Sequence, residues 1–235
     1  MRKSCALAVV SAFILSLGSI FAQEASLPKP RRIGLGVKMS SLGAGIEFSA
    51  RLTRRSNVRT GFNAFTFDHD FRKDNVAYAG HLNLRSLQAN YDWFPFGGAF
   101  HLSPGVLLYN GNRVRANLSI AGPAGGGFTG PITGTGAVDF ARVAPMFLAG
   151  WGNLVPRSGK HFSFPFEFGV IYTGAPRASL RLNSLVCDVN GANCLTAGSD
   201  PMVQSSIQSE QRTLNRSVAP FKFYPVISTG IAYSF

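Results

Sequence analysis

The last fifteen residues of the chain, "FKFYPVISTGIAYSF" (Phe221 to Phe235), alternate between two kinds of side chain. Every second residue from Phe221 to the terminal Phe235 is large and apolar, apart from Pro225 and Thr229. The residues between them are mostly small or polar, beginning with Lys222. Alternation over this length predicts a β-strand with one apolar face and one polar face.

The same two-residue period recurs along the chain, for instance in "HFSFPFEFGVIY" (161–172) and "GIEFSARL" (45–52). The pattern predicts eight strands, at residues 33–39, 43–52, 57–68, 76–94, 100–110, 136–152, 161–174 and 219–235. No helical period follows the first 22 residues. The apolar face shifts by one residue at Arg85-Ser86, and Pro165 cannot donate a ladder hydrogen bond, so we predict a bulge at each place.

The first 22 residues are typical of a secretory signal peptide. Arg2 and Lys3 precede an apolar run that ends at Phe21, and Ala22 is a plausible cleavage point. The run is short for a membrane anchor, and no stop-transfer charges follow it. Residues 23–32 would then form a short periplasmic segment ahead of the barrel.

Charge and export narrow the possible partners. With the first 22 residues removed, 21 basic side chains face 11 acidic ones, a formal net charge of about +10. The basic residues are scattered and form no basic helix, which argues against a nucleic-acid partner. An anionic membrane surface is the expected counter-charge.

The lengths of the connections indicate the kind of fold. Short turns such as "TRRSN" and "PFGGA" alternate with long, polar or Gly-rich connections, of which the longest is 175–218. Short turns at one end and long loops at the other are typical of outer-membrane barrels. We therefore predict an all-β fold over residues 33–235, an eight-stranded antiparallel up-and-down transmembrane β-barrel located in the bacterial outer membrane.

The alternation places charged side chains inside this barrel. The main members of the predicted lumen charge network are Glu47, Arg51, Arg59, Arg85, Glu167 and Lys222. Lys38, His81, Asp92 and His101 share the inward face. Within a narrow lumen such charges should pair, for example Glu167 with Lys222. A structural salt-bridge network is the favoured interpretation, and a gated polar path for small solutes is the alternative.

Several motifs resemble an uncharacterised family of small Gram-negative outer-membrane β-barrel proteins. They are "DWFPFGGAFHLSPG", "YNGN", "GWGN" and the closing stretch. The resemblance covers about residues 33–235. It implies an outer-membrane location and a β-barrel fold, and it implies no known reaction. The closing stretch also resembles the C-terminal signal read by the outer-membrane assembly machinery, with Ile231, Tyr233 and Phe235 at the matching positions.

Two cysteines remain in the exported chain, Cys187 and Cys194. An even number in an exported protein predicts a disulfide, and Asn190-Gly191 between them suits a turn. The paired cysteines also resemble those of that family. A metal pair is the alternative, disfavoured because no His lies nearby. We predict no metal site and no cofactor.

The predicted function is a structural or surface-interaction role, or passive passage of small solutes, without catalysis. Basic residues in the external loops could meet lipopolysaccharide phosphates; they are Arg72, Lys73, Arg113, Arg115, Arg212 and Arg216. One alternative is a barrel hydrolase that acts on membrane lipid. His161, Ser163 and Glu167 share a strand face and faintly resemble the trio of lipid A deacylases. The other alternative is a soluble exported ligand-binding barrel.

Overall fold

The computed structural model describes residues 31–73, 76–120, 132–158, 160–182, 185–187, 194–196 and 201–235. The predicted signal peptide (1–22) and residues 23–30 of the predicted periplasmic segment lie outside these residues. The described strands are β1 (Ile33–Ser40), β2 (Gly43–Arg51), β3 (Ser56–Lys73), β4 (Val76–Trp93), β5 (Phe100–Asn110), β6 (Arg113–Ile120), β7 (Ile132–Asp139), β8 (Ala144–Trp151), β9 (Phe162–Ser163), β10 (Phe166–Tyr172), β11 (Arg177–Leu182), β12 (Leu185–Cys187), β13 (Cys194–Thr196) and β14 (Phe223–Ser234). The described helix is α1 (Pro201–Val218).

Eight of these strands close into an antiparallel barrel, which confirms the predicted fold. They pair in the order β1, β2, β3, β4, β5, β8, β10 and β14, and β14 returns to β1. Val37 stands opposite Ile46 on one side and Ile231 on the other. Because every strand of the barrel has two neighbours, its backbone groups are paired without a sheet edge.

The two ends of the barrel differ. The turns after β2 and β4 and the connection from β8 to β9 lie at one end, the short-turn end, where β1 also begins and β14 finishes. The opposite, long-loop end carries the connections from β5 to β8 and from β10 to β14. The predicted segregation of short and long connections is therefore present, except that two connections at the long-loop end are short. These are the β1–β2 turn and the connection from β3 to β4, which consists of residues 74 and 75.

Side chains of the barrel alternate as the sequence predicts. In β1, Leu35, Val37 and Met39 are exposed on the outer face, whereas Lys38 between them is buried. Other barrel strands repeat this pattern, so the outer surface is apolar and the inner surface is largely polar. A water-soluble barrel would have its polar side chains outside and its apolar side chains inside, so the pattern here is the reverse.

The barrel sheet branches at the half of β4 nearer the long-loop end, which we call the upper half. The lower half of β4 pairs with β5, whereas Val76 to Asn83 pair with β6, which is followed by β7 and then β11. We call β6, β7 and β11 the second sheet. The connection 110–135, expected to be an external loop, therefore contributes two strands. The predicted strand 136–152 is two strands, β7 and β8, that belong to different parts of the sheet. Residues 69–73, expected in the loop that follows the predicted strand 57–68, extend β3.

The predicted bulge at Arg85-Ser86 is absent between β3 and β4, whose register is continuous from Ser56 and Trp93 to Lys73 and Val76. The irregularity lies instead between β4 and β5, at Leu87/Gln88. With an unbroken register, the apolar stripe of β4 changes sides near Arg85. Near Pro165 the strand is interrupted, so β9 and β10 are separate elements.

Helix α1 corrects the expectation that no helix follows residue 22. Asp200-Pro201 is a helix-start signal, since Asp favours the N-cap and Pro the first helical position. The apolar residues of α1 are too sparse to give a strong helical period. Within the described ranges, no helix is long and apolar enough to cross a membrane.

Candidate functional site in the barrel lumen

A buried guanidinium lies at the centre of the lumen. Arg59 of β3 is 1% exposed and is surrounded by three carboxylates, from Glu47, Asp92 and Glu167. Its Nη1 donates to Glu47 Oε1 (3.0 Å) and to Glu167 Oε2 (2.8 Å). Its Nε donates to Asp92 Oδ2 (3.1 Å), and its Nη2 donates to Asp92 Oδ1 (3.0 Å) and to Glu167 Oε1.

Further polar groups complete this arrangement. Lys38 Nζ donates to Glu47 Oε1 (2.7 Å), and His101 Nε2 lies 2.9 Å from Glu167 Oε1. Ser103 Oγ donates to Asp92 Oδ1 (2.7 Å). We call Lys38, Glu47, Arg59, Asp92, His101 and Glu167 the lumen cluster.

The charges of the lumen cluster nearly cancel. Lys38 and Arg59 face three carboxylates, and a protonated His101 would complete the balance. Buried ions are tolerated only when they are paired and hydrogen-bonded, because the low dielectric penalises an isolated charge. The cluster therefore holds six strands together, because removing one member leaves others uncompensated.

Small residues on the inward face make room for the cluster. A Cβ added to Gly61 would lie 3.2 Å from Glu47 Cγ, and one added to Gly150 would lie 2.8 Å from Glu167 Cγ. These inward glycines of β3 and β8 let two long carboxylate side chains reach the barrel axis. The alternation in the sequence thus specifies both the charged side chains and the space that they occupy.

An apolar layer lies above the cluster, toward the long-loop end. It consists of buried side chains from four strands and from the β1–β2 turn, namely Leu42, Leu107, Ala144, Met146, Leu148, Ile171 and Val226. A cavity of about 470 Å³ lies on the long-loop side of this layer, and Leu42, Leu107 and Ile171 of the layer line it. The layer separates the cavity from the lumen cluster.

The connection after β8 closes the lumen at the short-turn end, and we call this segment the lower plug. Leu154 and Val155 are buried, and a Cβ added to Gly34 would lie 2.2 Å from the Leu154 carbonyl oxygen, so this segment is folded tightly against β1. Asn57 Nδ2 donates to Asn153 Oδ1 (2.8 Å), which also accepts from Val155 N (2.9 Å). The lumen is therefore filled by three successive layers.

Two further residues pack against this connection. Arg157 lies over the ring of Phe94, with its Cζ 4.3 Å from the ring centroid. Burial and the neighbouring Arg51 lower the pKa of the Arg157 guanidinium, while Asp92 acts in the opposite direction. Phe94, which directly follows β4, is 1% exposed and belongs to this lower plug.

The predicted network residues divide into two groups. Glu47, Arg59 and Glu167 meet in the lumen cluster. Arg51 lies at the short-turn end, where its Nη2 donates to the Val155 and Pro156 carbonyls (3.4 and 3.3 Å). Two others lie elsewhere: Arg85 is exposed on the face of β4 opposite to Ser86, and Lys222 is exposed at the long-loop end.

The three hydrolase candidates are not joined into a hydrogen-bonded trio among the described residues. His161 Nδ1 lies 3.2 Å from the Ser234 carbonyl oxygen, and its ring stacks on Tyr233. Glu167 is bound within the lumen cluster, and no hydrogen bond joins it to His161 or Ser163 among the described residues. Ser163 Oγ is buried without a hydrogen-bond partner in the same residue set.

The residues of the predicted C-terminal signal lie on the outer face of the barrel. Ile231 and Phe235 are 49% and 55% exposed, and Tyr233 contacts both Phe235 and Phe162 edge-on. The backbone register of β12 and β13 places Cys187 opposite Cys194, but the predicted disulfide itself lies outside the described side chains. No group of three or more metal-ligating side chains suited to an ion is present in the described ranges.

Sequence reasoning placed Asp92 and His101 inside the barrel but assigned them no partners. Their partners depend on how strongly the strands tilt, because tilt decides which inward residues share a height along the barrel axis. Alternation alone does not specify this tilt. Arg59 and Glu167 lie on β3 and β10, which are not neighbours, so their contact across the lumen has no local sequence signal.

Comparison with known proteins supports the fold. The crystal structure of Acinetobacter baumannii CarO2 matches with a TM-score of 0.56 and 15% sequence identity, over 88% of this chain and 100% of that one. The crystal structure of Acinetobacter baumannii CarO matches with a TM-score of 0.55 and 16% identity, over 87% and 98% of the two chains. No family model and no curated protein matches the sequence. At this identity the likeness shows the eight-stranded barrel fold of the outer-membrane type.

Proposed function

We propose that the protein is an outer-membrane barrel with a closed lumen, which acts through the surface at its long-loop end. The apolar outer face supports the membrane setting. Exposed large apolar side chains cover the barrel strands, and such a continuous surface far exceeds the patches of a few hundred Å² found on soluble proteins. In hydrocarbon, a closed barrel satisfies its backbone polar groups internally.

The orientation follows from the connections. Outer-membrane barrels have short periplasmic turns and longer extracellular loops. The second sheet and α1 would then lie outside the cell. Ile231, Tyr233 and Phe235 would serve as the signal for the outer-membrane assembly machinery, a role supported by their outward, terminal position.

The filled lumen is the observation that supports a structural and surface-binding role. The apolar layer, the lumen cluster and the lower plug lie one below another, and an eight-stranded barrel has an interior just wide enough for side chains. A structural and surface-binding role is therefore favoured over passive solute passage. No catalysis is proposed, because no hydrogen bond links the candidate nucleophile, base and acid among the described residues.

Two measurements test this proposal. We expect the full-length protein in the outer-membrane fraction, with a heat-modifiable shift in gel mobility that marks a folded barrel. In planar bilayers we expect no stepwise conductance, beside a general porin as the positive control. Reproducible conductance steps from the folded protein would instead support solute passage, and recovery as a soluble periplasmic protein would support the ligand-binding alternative.

Outer-membrane lipid and lipopolysaccharide are the proposed partners of this end. Arg72, Arg212 and Arg216 are exposed there, and Arg113 and Arg115 lie on β6, whereas the side chain of Lys73 lies outside the described residues. Reversing these charges should weaken co-sedimentation with lipopolysaccharide. Unchanged binding would exclude this partner for the basic residues.

A further inference from the structure

An arginine-rich cleft lies at the long-loop end, between the second sheet and the rim of the barrel. Its volume is about 1280 Å³. Five arginines line it, namely Arg85, Arg113, Arg115, Arg142 and Arg177. Two carboxylates, from Asp68 and Asp139, also line it, so the cleft has a formal excess of three positive charges when His81 is neutral.

The strand register brings several of these charges onto one face. Arg113 on β6 and Arg177 on β11 both stand directly opposite Asp139 on β7, one on each side. Arg115 follows on the same face of β6, opposite His81. Directly opposite residues in antiparallel strands lie about 5 Å apart, so three guanidinium groups share a small area.

The two carboxylates compensate only one of the five arginines. Arg113 forms an ion pair with Asp139. Asp68 is hydrogen-bonded to His81, and the distance from Asp68 Oδ1 to His81 Nδ1 is 2.8 Å. In the part of the chain that the structure describes, the side chains of the remaining four cleft arginines form no ion pair. Like charges held together are unfavourable without a counter-charge, so the cleft is suited to an anion.

Phosphate is the counter-charge that this geometry fits. The planar guanidinium fork binds phosphate oxygens through two parallel hydrogen bonds. A phosphate monoester carries close to two negative charges near neutral pH, so two such groups would balance four arginines. Amide and hydroxyl groups from Asn83, Asn112, Ser179 and Gln211 line the same cleft and could bond to sugar hydroxyls.

We propose that the cleft binds a bisphosphorylated sugar. The ligand could be a soluble sugar bisphosphate or the phosphorylated sugar headgroup of lipopolysaccharide, which share this chemistry. The proposal rests on the proposed function for its extracellular setting, but the binding itself depends only on the folded barrel.

The test compares two triple variants with matched charge and exposure. Arg85→Gln/Arg142→Gln/Arg177→Gln removes three cleft arginines. Arg54→Gln/Arg55→Gln/Arg181→Gln removes three exposed arginines that neither line the cleft nor belong to the basic residues proposed above to bind lipopolysaccharide. Folding of each detergent-solubilised full-length protein is checked first by heat-modifiable gel mobility.

Binding of glucose 1,6-bisphosphate is then measured by calorimetry at low ionic strength, and co-sedimentation is measured with phosphatidylcholine vesicles that contain lipopolysaccharide. We expect the cleft variant to bind at least about tenfold more weakly than wild type, a change of about 1.4 kcal/mol. The control variant should change by less than about threefold, since non-specific charge effects on a surface are screened.

The outcomes separate the possible sources. Tight binding of the soluble probe supports a free sugar phosphate, and selective capture of the lipopolysaccharide vesicles supports the lipid headgroup. Absence of both in wild type, or equal losses in the two triple variants, would overturn the cleft site. A conducting lumen would overturn the closed-barrel proposal and leave these binding results unaffected.

Discussion

The lower and upper halves of β3 and β4 use opposite binary patterns within the same two strands. In the lower half, Phe62 faces outward and its neighbour Asn63 is buried in the lumen. In the upper half, Phe67 lies on the face that continues from Asn63, and Asp68 lies on the outer one. Phe62 and Phe67 are similarly exposed, at 44% and 51%, so exposure alone does not separate their surroundings.

The arrangement of charge differs in the same way. The lumen cluster buries its cations and carboxylates in mutual contact. The cleft exposes five arginines and only two carboxylates. A buried charge in the lumen must be neutralised within the protein, whereas a charge in the open cleft is stabilised by water and is available to a ligand. The lower half is thus suited to stability, and the upper half is the part that we propose for binding.

The largest effect should come from removing the central cation of the lower half. Arg59→Met leaves Glu47, Asp92 and Glu167 facing one another without their shared partner. We expect the free energy of unfolding to fall by about 3–5 kcal/mol, as measured for broken buried ion pairs. Denaturant unfolding in lipid vesicles measures this change.

Arg51→Met is the matched control. Arg51 is only partly buried and donates two long hydrogen bonds to backbone carbonyls. Its loss should lower the free energy of unfolding by about 1 kcal/mol or less. Equal destabilisation by the two substitutions would show that the lumen cluster does not hold the barrel together.

Much of the lower half could be predicted from the sequence. Alternation identified all eight barrel strands, because each strand separates two environments that differ sharply in polarity. It also identified Glu47, Arg59 and Glu167 as inward residues. The proposed pair of Glu167 with Lys222 was inferred from neighbouring strands, but Lys222 lies at the long-loop end, far along the strand direction from the level of Glu167.

The upper half was harder to predict. Val114, Ala116 and Leu118 alternate as a strand should, but the Gly-rich run that follows favoured a loop. Their partner is the upper part of β4, which the local pattern does not reveal. The apolar stripe of β4 was interpreted as facing one environment throughout, and a bulge was needed to explain its shift. The actual cause is a change of environment at an unbroken register.

A second prediction contrasts the two phenylalanines of β3. Phe62 stands opposite Ile46, near the middle of the barrel height. Phe62→Arg should lower the free energy of unfolding in vesicles by about 2–4 kcal/mol, because it places a charge at mid-bilayer depth. This variant tests directly whether the lower outer surface faces lipid.

Phe67→Arg is the control on the same strand. It removes a ring that stacks between Phe65 and His69, for which we expect a loss of about 1 kcal/mol. A large loss at both positions would mean that the upper half also lies in hydrocarbon. A small loss at both would argue against a membrane belt.

A third prediction concerns the exposed edge of the second sheet. The side-chain amide of Asn215 in α1 accepts a hydrogen bond from Ala178 N (2.9 Å) and donates one to Ala178 O (3.2 Å). It thus occupies the edge of β11 as a neighbouring strand would. Asn215→Ala should lower the local stability of β11 by about 1–2 kcal/mol.

Hydrogen exchange at the amides of β11 measures this effect, and faster exchange should be confined to the second sheet. Thr213→Ala is the control, since the Thr213 hydroxyl donates only to Ser209 O within α1. Exchange that accelerates in the barrel strands as well would mean that the two halves unfold as one unit.

The smallest effect on the barrel should come from the cysteines. The backbone register places Cys187 opposite Cys194 in the two-stranded β12–β13 sheet, which is separate from the barrel sheet. We predict a disulfide here, so that alkylation of the unreduced, unfolded protein should leave both residues unlabelled in mass spectrometry. Cys187→Ser/Cys194→Ser should change the free energy of barrel unfolding by less than about 0.5 kcal/mol, as for surface substitutions. Labelling of both thiols without reductant would exclude the disulfide, and a large loss of barrel stability would show that this hairpin supports the lower half.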